Sequence, residues 1–195
     1  EYDEMCEAID NYREHFESVS IAEPLLGEVG SDATVINDDK EAVAKAVVAA
    51  AVADSGFESL DAAKEAGTAF VFMGHGTAHV AKVSYSQMQT QMQLLGYENV
   101  FIGTVEGEPE ETSCEAVIEA VRAAGYTNVI MRPLMVVAGD HANNDMAGEE
   151  EDSWKSMFEA AGLTVDCQIA GLGGIADVQA LYIAHTKAAI DALTA

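Results

Sequence analysis

The sequence predicts an α/β protein with a four-stranded parallel sheet and helices on both faces, and three observations predict the sheet. Four short runs rich in β-formers, at 69–73, 99–105, 128–137 and 164–169, alternate with helix-length segments at 78–95, 110–124, 150–161 and 175–193. Three of those helices are stopped by a glycine, Gly96, Gly125 and Gly162, where a left-handed residue closes a helix. Strands separated by helices of this length are joined by right-handed crossovers, which makes the sheet parallel.

The elements follow in order. Residues 1–16 carry Tyr2, Met5, Ile9, Tyr12 and Phe16 at three-and-four spacing, the pattern of an amphipathic helix with an acidic first turn. Residues 18–26 read as a strand running into Pro24, 27–39 as a polar loop, and 39–53 as an alanine-rich helix. A connection at 56–67 contains one expected helical turn. The main boundary is placed here. Residues 1–66 read as the end of an N-terminal half, the remnant of a second similar unit, and 67–195 as a C-terminal α/β domain. Trp154, Tyr182 and the methionines Met88, Met92, Met131, Met135 and Met146 are assigned to the core.

Composition narrows the function. Nine Lys plus Arg against 34 Asp plus Glu give a formal charge of -25, which excludes nucleic acid as a partner because phosphates need a basic surface. No apolar run reaches the roughly 20 residues of a membrane span. The longest, 42–53, is alanine-rich and too short. Cys6, Cys114 and Cys167 are odd in number and lack Cys-x-x-Cys spacing, so they read as ordinary thiols rather than a disulfide framework or zinc site. A cytoplasmic location is expected, and an exported form stays open because the chain starts at Glu1 rather than Met.

Chemistry gathers at three strand ends. The run Phe70–Phe72 closes in Gly74-His75-Gly76, the second strand in Thr104-Val105-Glu106, and the third in Gly139-Asp140-His141. In a parallel sheet all carboxyl ends lie on one edge, where ligands bind, so these side chains converge though distant in sequence. Two imidazoles and a carboxylate suit a divalent first-row metal such as Co, Ni, Fe or Zn, and three protein ligands leave positions open for a substrate. Taken singly, each has a plainer reading: a histidine at a turn is often a hydrogen-bonded cap, and Glu106 is a solvated carboxylate. Asp140 is expected to orient His141. His79, four residues after His75, reads equally as a proton relay or a solvated helix residue. His15 is expected at the surface, and His185 in a structural role.

With those residues in view, the chain resembles the anaerobic sirohydrochlorin cobaltochelatases of cobalamin biosynthesis, within the class II chelatases that include the ferrochelatases. Phe72-Met-Gly-His-Gly-Thr77, Gly103-Thr-Val-Glu-Gly107 with Pro109, and the long, unusual Pro133–Met146 segment carry the resemblance. Ser153-Trp-Lys155 and Gly171-Leu-Gly173 extend it, and the similarity runs from Glu1 to Ala195. The resemblance implies two α/β halves around a tetrapyrrole, with most of the N-terminal half lacking here. It implies His75 and His141 as metal ligands and proton acceptors, and Glu106 as a further metal ligand. The opening Glu1-Tyr-Asp matches the family's Gly-Glu-Glu-Tyr stretch, whose second glutamate faces the substrate, so Glu1 joins the implied catalytic residues.

The expected reaction is insertion of Co2+ into sirohydrochlorin or a related tetrapyrrole. Ni2+, Fe2+ and Zn2+ are alternative metal substrates, no organic cofactor is expected, and the chain is read as an enzyme that forms homo-oligomers. The alternative is a non-catalytic carrier of haem, tetrapyrrole or divalent metal on the same fold. Because the family's substrate carries many carboxylates, local cations are expected at the cleft, with Lys82, Arg132 and Lys155 as candidates.

Overall fold

The computed structural model describes residues 2–193. Three helices, α1 (Tyr2–Asp10), α2 (Asp38–Ser55) and α3 (Leu60–Glu65), precede the sheet. The sheet follows as β1 (Thr68–Gly74), α4 (Val83–Leu94), β2 (Val100–Thr104), α5 (Cys114–Ala123), β3 (Asn128–Pro133), α6 (Trp154–Ala160), β4 (Thr164–Cys167) and α7 (Ala176–Leu193). All strand pairs are parallel, in the order β2-β1-β3-β4.

The expected architecture is present, and burial explains it. Every residue of β1 is buried, because helices cover both faces of the sheet. Phe70 and Phe72 face a core shared with α2, α4 and α7, through Val43, Val47, Met88, Met92 and Val178. Ala69, Val71 and Met73 face the opposite core, with Val117 and Val121 of α5 and Trp154 and Phe158 of α6. Trp154 lies so close to β2 that a Cβ on Gly103 would stand 2.3 Å from its ring. Among the described residues no helix is long and apolar enough to cross a membrane.

Several local expectations are corrected. Residues 18–26 form no strand: the segment runs irregularly into a turn at Leu25 and Leu26, which pack on the core, and Pro24 has no N–H to offer a ladder. The third strand ends at Pro133 rather than 137: the proline, in register with Met73, has no N–H of its own to pair, and beyond it the Leu134 N–H donates to the Met73 carbonyl at 2.7 Å before the chain turns away. The helix expected from 78 begins in a short turn at Val80–Lys82 and becomes α-helical at Val83. The helix expected from 150 starts after Ser153, whose hydroxyl accepts from the Ser156 N–H at 3.2 Å. Tyr182, expected in the core, is 38% exposed, whereas Trp154 and four of the five methionines are buried.

Candidate functional site

The strand order makes β1 the turning point of the fold. The chain leaves β1 for β2 on one side and later returns to β3 on the other, so the carboxyl ends of β1 and β3 flank the crevice where ligands settle. His75 follows β1 directly. His141 lies eight residues beyond β3, in a π-helical turn, His141–Met146. Such turns are rare and frequent at functional sites. Ala142 and Met146 anchor this one in the protein while His141 and Asp145 stay partly exposed.

The glycines around His75 are required by close approach. A Cβ on Gly74 would stand 2.3 Å from the Tyr85 ring, and one on Gly76, at φ +90°, 2.9 Å from Glu106 Cβ. Those contacts bind the β1 and β2 ends into one unit: Glu106 N–H donates to the His75 carbonyl at 2.9 Å, and Gly76 N–H to the Tyr85 hydroxyl at 3.0 Å. The loop that carries His141 is held from the other side. Leu172 and Gly173 donate to the carbonyls of Met135 and Val136 at 2.8 and 2.9 Å, and a Cβ on Gly171 would strike the Val136 carbonyl oxygen.

Two imidazoles meet at this edge, their ring centroids 4.7 Å apart and their planes nearly perpendicular at 83°. The hydrogen bonds assign their tautomers. His75 Nδ1 lies 2.8 Å from the Gly76 carbonyl oxygen, which only accepts, so Nδ1 carries the proton and Nε2 the lone pair. His141 Nδ1 lies 2.7 Å from an Asp145 carboxylate oxygen, which fixes the same tautomer. Asp145, not Asp140, therefore orients His141; Asp140 instead accepts a long bond from Asn144. Sequence reasoning missed Asp145 although its i,i+4 spacing from His141 was legible.

Glu106 lines a polar recess with His75, Thr77, Ser84 and Glu108. The ligand atoms of His75, His141 and Glu106 do not all lie within 4.8 Å of one another; among the described residues the group that meets that distance is Glu23, Asp39 and His185. Glu1 lies outside the described residues. On its other side His75 borders an apolar cleft of about 460 Å³, walled by Leu26, Leu134, Met135, Val136 and Leu172 with Tyr2 and Tyr182 at its margin. That volume is within the range of small-molecule sites.

Other expected roles shift. His79 belongs to no common helix face with His75: its Nδ1 accepts from the Ala81 N–H at 3.1 Å and caps the turn that leads into α4. Arg132 is not at the cleft. It is buried in β3 with its guanidinium 2.6 Å from Asp54 and 3.0 Å from Gln168. Lys82 is paired with Glu108 at 2.6 Å beside the polar recess, and Lys155 lies near Cys167. His15 is at the surface as expected. Burial pushes the Cys114 and Cys167 thiols up to about 12 and about 11, so both stay protonated at neutral pH.

Fold and cleft define a doubly wound α/β protein with a ligand crevice at its switch point. The family model of the cobalt chelatases (CbiK) matches residues 1–191, and the chain belongs to that family. It is similar to the sirohydrochlorin cobaltochelatase of Salmonella typhimurium, 40% identical over 121 residues that make up 62% of this chain and 44% of that protein. It is also similar to the sirohydrochlorin cobaltochelatase CbiKC of Nitratidesulfovibrio vulgaris, 30% identical over 195 residues, 99% of this chain and 62% of that protein. The chain thus spans less than two thirds of the length of either curated relative.

Proposed function

We propose that this chain inserts Co2+ into sirohydrochlorin, the reaction named for both relatives and the cobalt-inserting step of anaerobic cobalamin synthesis. The observation that carries the reading is the imidazole pair at the ends of β1 and β3, each ring with Nδ1 committed and Nε2 left as a lone-pair donor.

Insertion replaces two pyrrole protons by a divalent ion, so the site must hold the metal and take up protons. A neutral imidazole does either, since its ordinary pKa of about 6.5 leaves it mostly unprotonated at cellular pH. His75, backed only by a carbonyl, is assigned to the incoming ion. His141 is assigned to proton acceptance, because the Asp145 carboxylate balances the charge once the ring takes a proton. Glu106, next to His75, is assigned as the further metal ligand or second acceptor, and Glu1 is retained as a substrate-side group. The apolar cleft receives the macrocycle face, and the polar recess receives the ion. The free Cys114 and Cys167 fit a reducing, cytoplasmic setting.

The test is Co2+ insertion into sirohydrochlorin, followed by visible absorption, for the native chain beside His75→Ala and His141→Ala. Each variant is expected to lose about 10²- to 10⁴-fold, the usual contribution of a positioned acid or base. Native rates in either variant would remove the imidazole pair from the reaction. A native chain that binds cobalt without inserting it would make the protein a carrier.

A further inference from the structure

We propose that Glu23, Asp39 and His185 form a second divalent-cation site that ties α7 to the start of α2 and to the segment preceding it. One ligand atom from each residue lies within 4.8 Å of the other two. The three come from separate parts of the chain: Glu23 from the irregular 18–37 segment, Asp39 from the first turn of α2, and His185 from the middle of α7. The site is partly enclosed, with the His185 and Asp39 side chains 12% and 22% exposed.

The donor arrangement calls for a cation. His185 Nδ1 lies 3.2 Å from the Glu23 backbone carbonyl, and both that oxygen and the Asp39 carboxylate only accept, so a neutral ring can serve one of them; with the hydrogen on Nδ1 it serves the carbonyl. Nε2 then presents a lone pair to an Asp39 carboxylate oxygen 3.1 Å away. A lone pair and a carboxylate oxygen at that distance repel unless a positive charge sits between them. Two donors each about 2.1 Å from one ion stand about 3.0 Å apart at a right angle and about 3.4 Å apart at the tetrahedral angle, and the 3.1 Å spacing found here falls between the two. The Glu23 side chain supplies a third ligand, so two carboxylates balance a divalent ion and one imidazole selects the first-row metals Zn2+ or Co2+ over Mg2+ or Ca2+. A proton on Nε2 is the competing occupant.

The experiment removes the strand-end pair first. The His75→Ala/His141→Ala chain is dialysed against Zn2+, the retained metal is counted, and melting is followed with and without the ion. About one Zn2+ per chain and a raised melting temperature are expected. Glu23→Gln, a near-isosteric change at an exposed position, is expected to weaken binding at least tenfold, since even groups behind the ligands cost 10- to 100-fold. Adding His185→Ala is expected to abolish both retention and the melting shift. Retention of no zinc by the doubly substituted chain, or equal affinity after Glu23→Gln and His185→Ala, overturns the site and leaves a proton as the occupant. Because insertion is measured on the native chain, failure there does not bear on this site.

Discussion

The molecule presents histidine in two contrasting ways. At the sheet edge, His75 and His141 each commit Nδ1 to an acceptor and keep Nε2 as a lone-pair donor, with His75 bordering the cleft. Between α2 and α7, His185 faces oxygens at both nitrogens, a carbonyl at Nδ1 and, across the proposed cation, a carboxylate at Nε2. The first arrangement suits a group that must gain and release an ion or proton in each cycle. The second suits a fixed bridge between elements. The difference shows that the partner of the second nitrogen, more than the residue type, separates a working histidine from a structural one.

The largest effect on that contrast is expected from removing the carboxylates. Asp145→Ala should slow cobalt insertion by about 10- to 100-fold, the usual loss when a group orienting a histidine is removed. Asp39→Ala should leave the insertion rate within about twofold while lowering the melting temperature. Equal effects on the rate would erase the distinction between the two kinds of histidine.

The next effect sharpens the role of backbone geometry at the edge. Gly76→Ala forces a Cβ at φ +90° to within 2.9 Å of Glu106 Cβ, a strain of about 1–3 kcal/mol. In a chain of this size that corresponds to roughly 2–4 °C of melting temperature per kcal/mol, with insertion impaired as well. Gly139→Ala, in open space two residues before His141, should change neither.

Salt is expected to act more gently. With a formal charge of -25 the protein would repel the proposed tetrapyrrole substrate, which is rich in carboxylates, and Lys82 beside the recess is already paired with Glu108. Raising ionic strength from about 0.01 to 0.15 M shortens the Debye length from about 30 to 8 Å, and the apparent KM should fall. A rise in KM would mean that local cations dominate at the cleft.

The smallest effect concerns the thiols. With burial holding Cys114 and Cys167 at about 12 and about 11, alkylation at pH 8 should scarcely touch either residue. At a pKa of about 11 the thiolate amounts to about one molecule in a thousand, and it grows only as pH rises toward that value. Rapid labelling of either residue would show that the cores open around it.

Much of this was legible in the sequence because the signals are local. A buried run ending in Gly-His-Gly marks a strand end, and helix-length segments between such runs make the sheet parallel, so His75 and His141 fall on one edge. Asp145 escaped because an acidic neighbour, Asp140, was the simpler partner, and sequence periodicity does not announce a π-helical turn. The 18–26 strand was misread because the segment runs through Pro24 into a turn whose Leu25 and Leu26 pack on the core instead of pairing with a strand. The Glu23–Asp39–His185 group had no local signal at all: His185 is 162 and 146 positions from its two partners.

The most direct test of the strand-end assignment is nitrogen NMR of ¹⁵N-histidine-labelled protein titrated with Co2+. His75 and His141 should keep their Nδ1 protons, and both Nε2 resonances should shift or broaden as the ion binds. Perturbation of Nδ1 instead, or no change at either ring, would contradict the account.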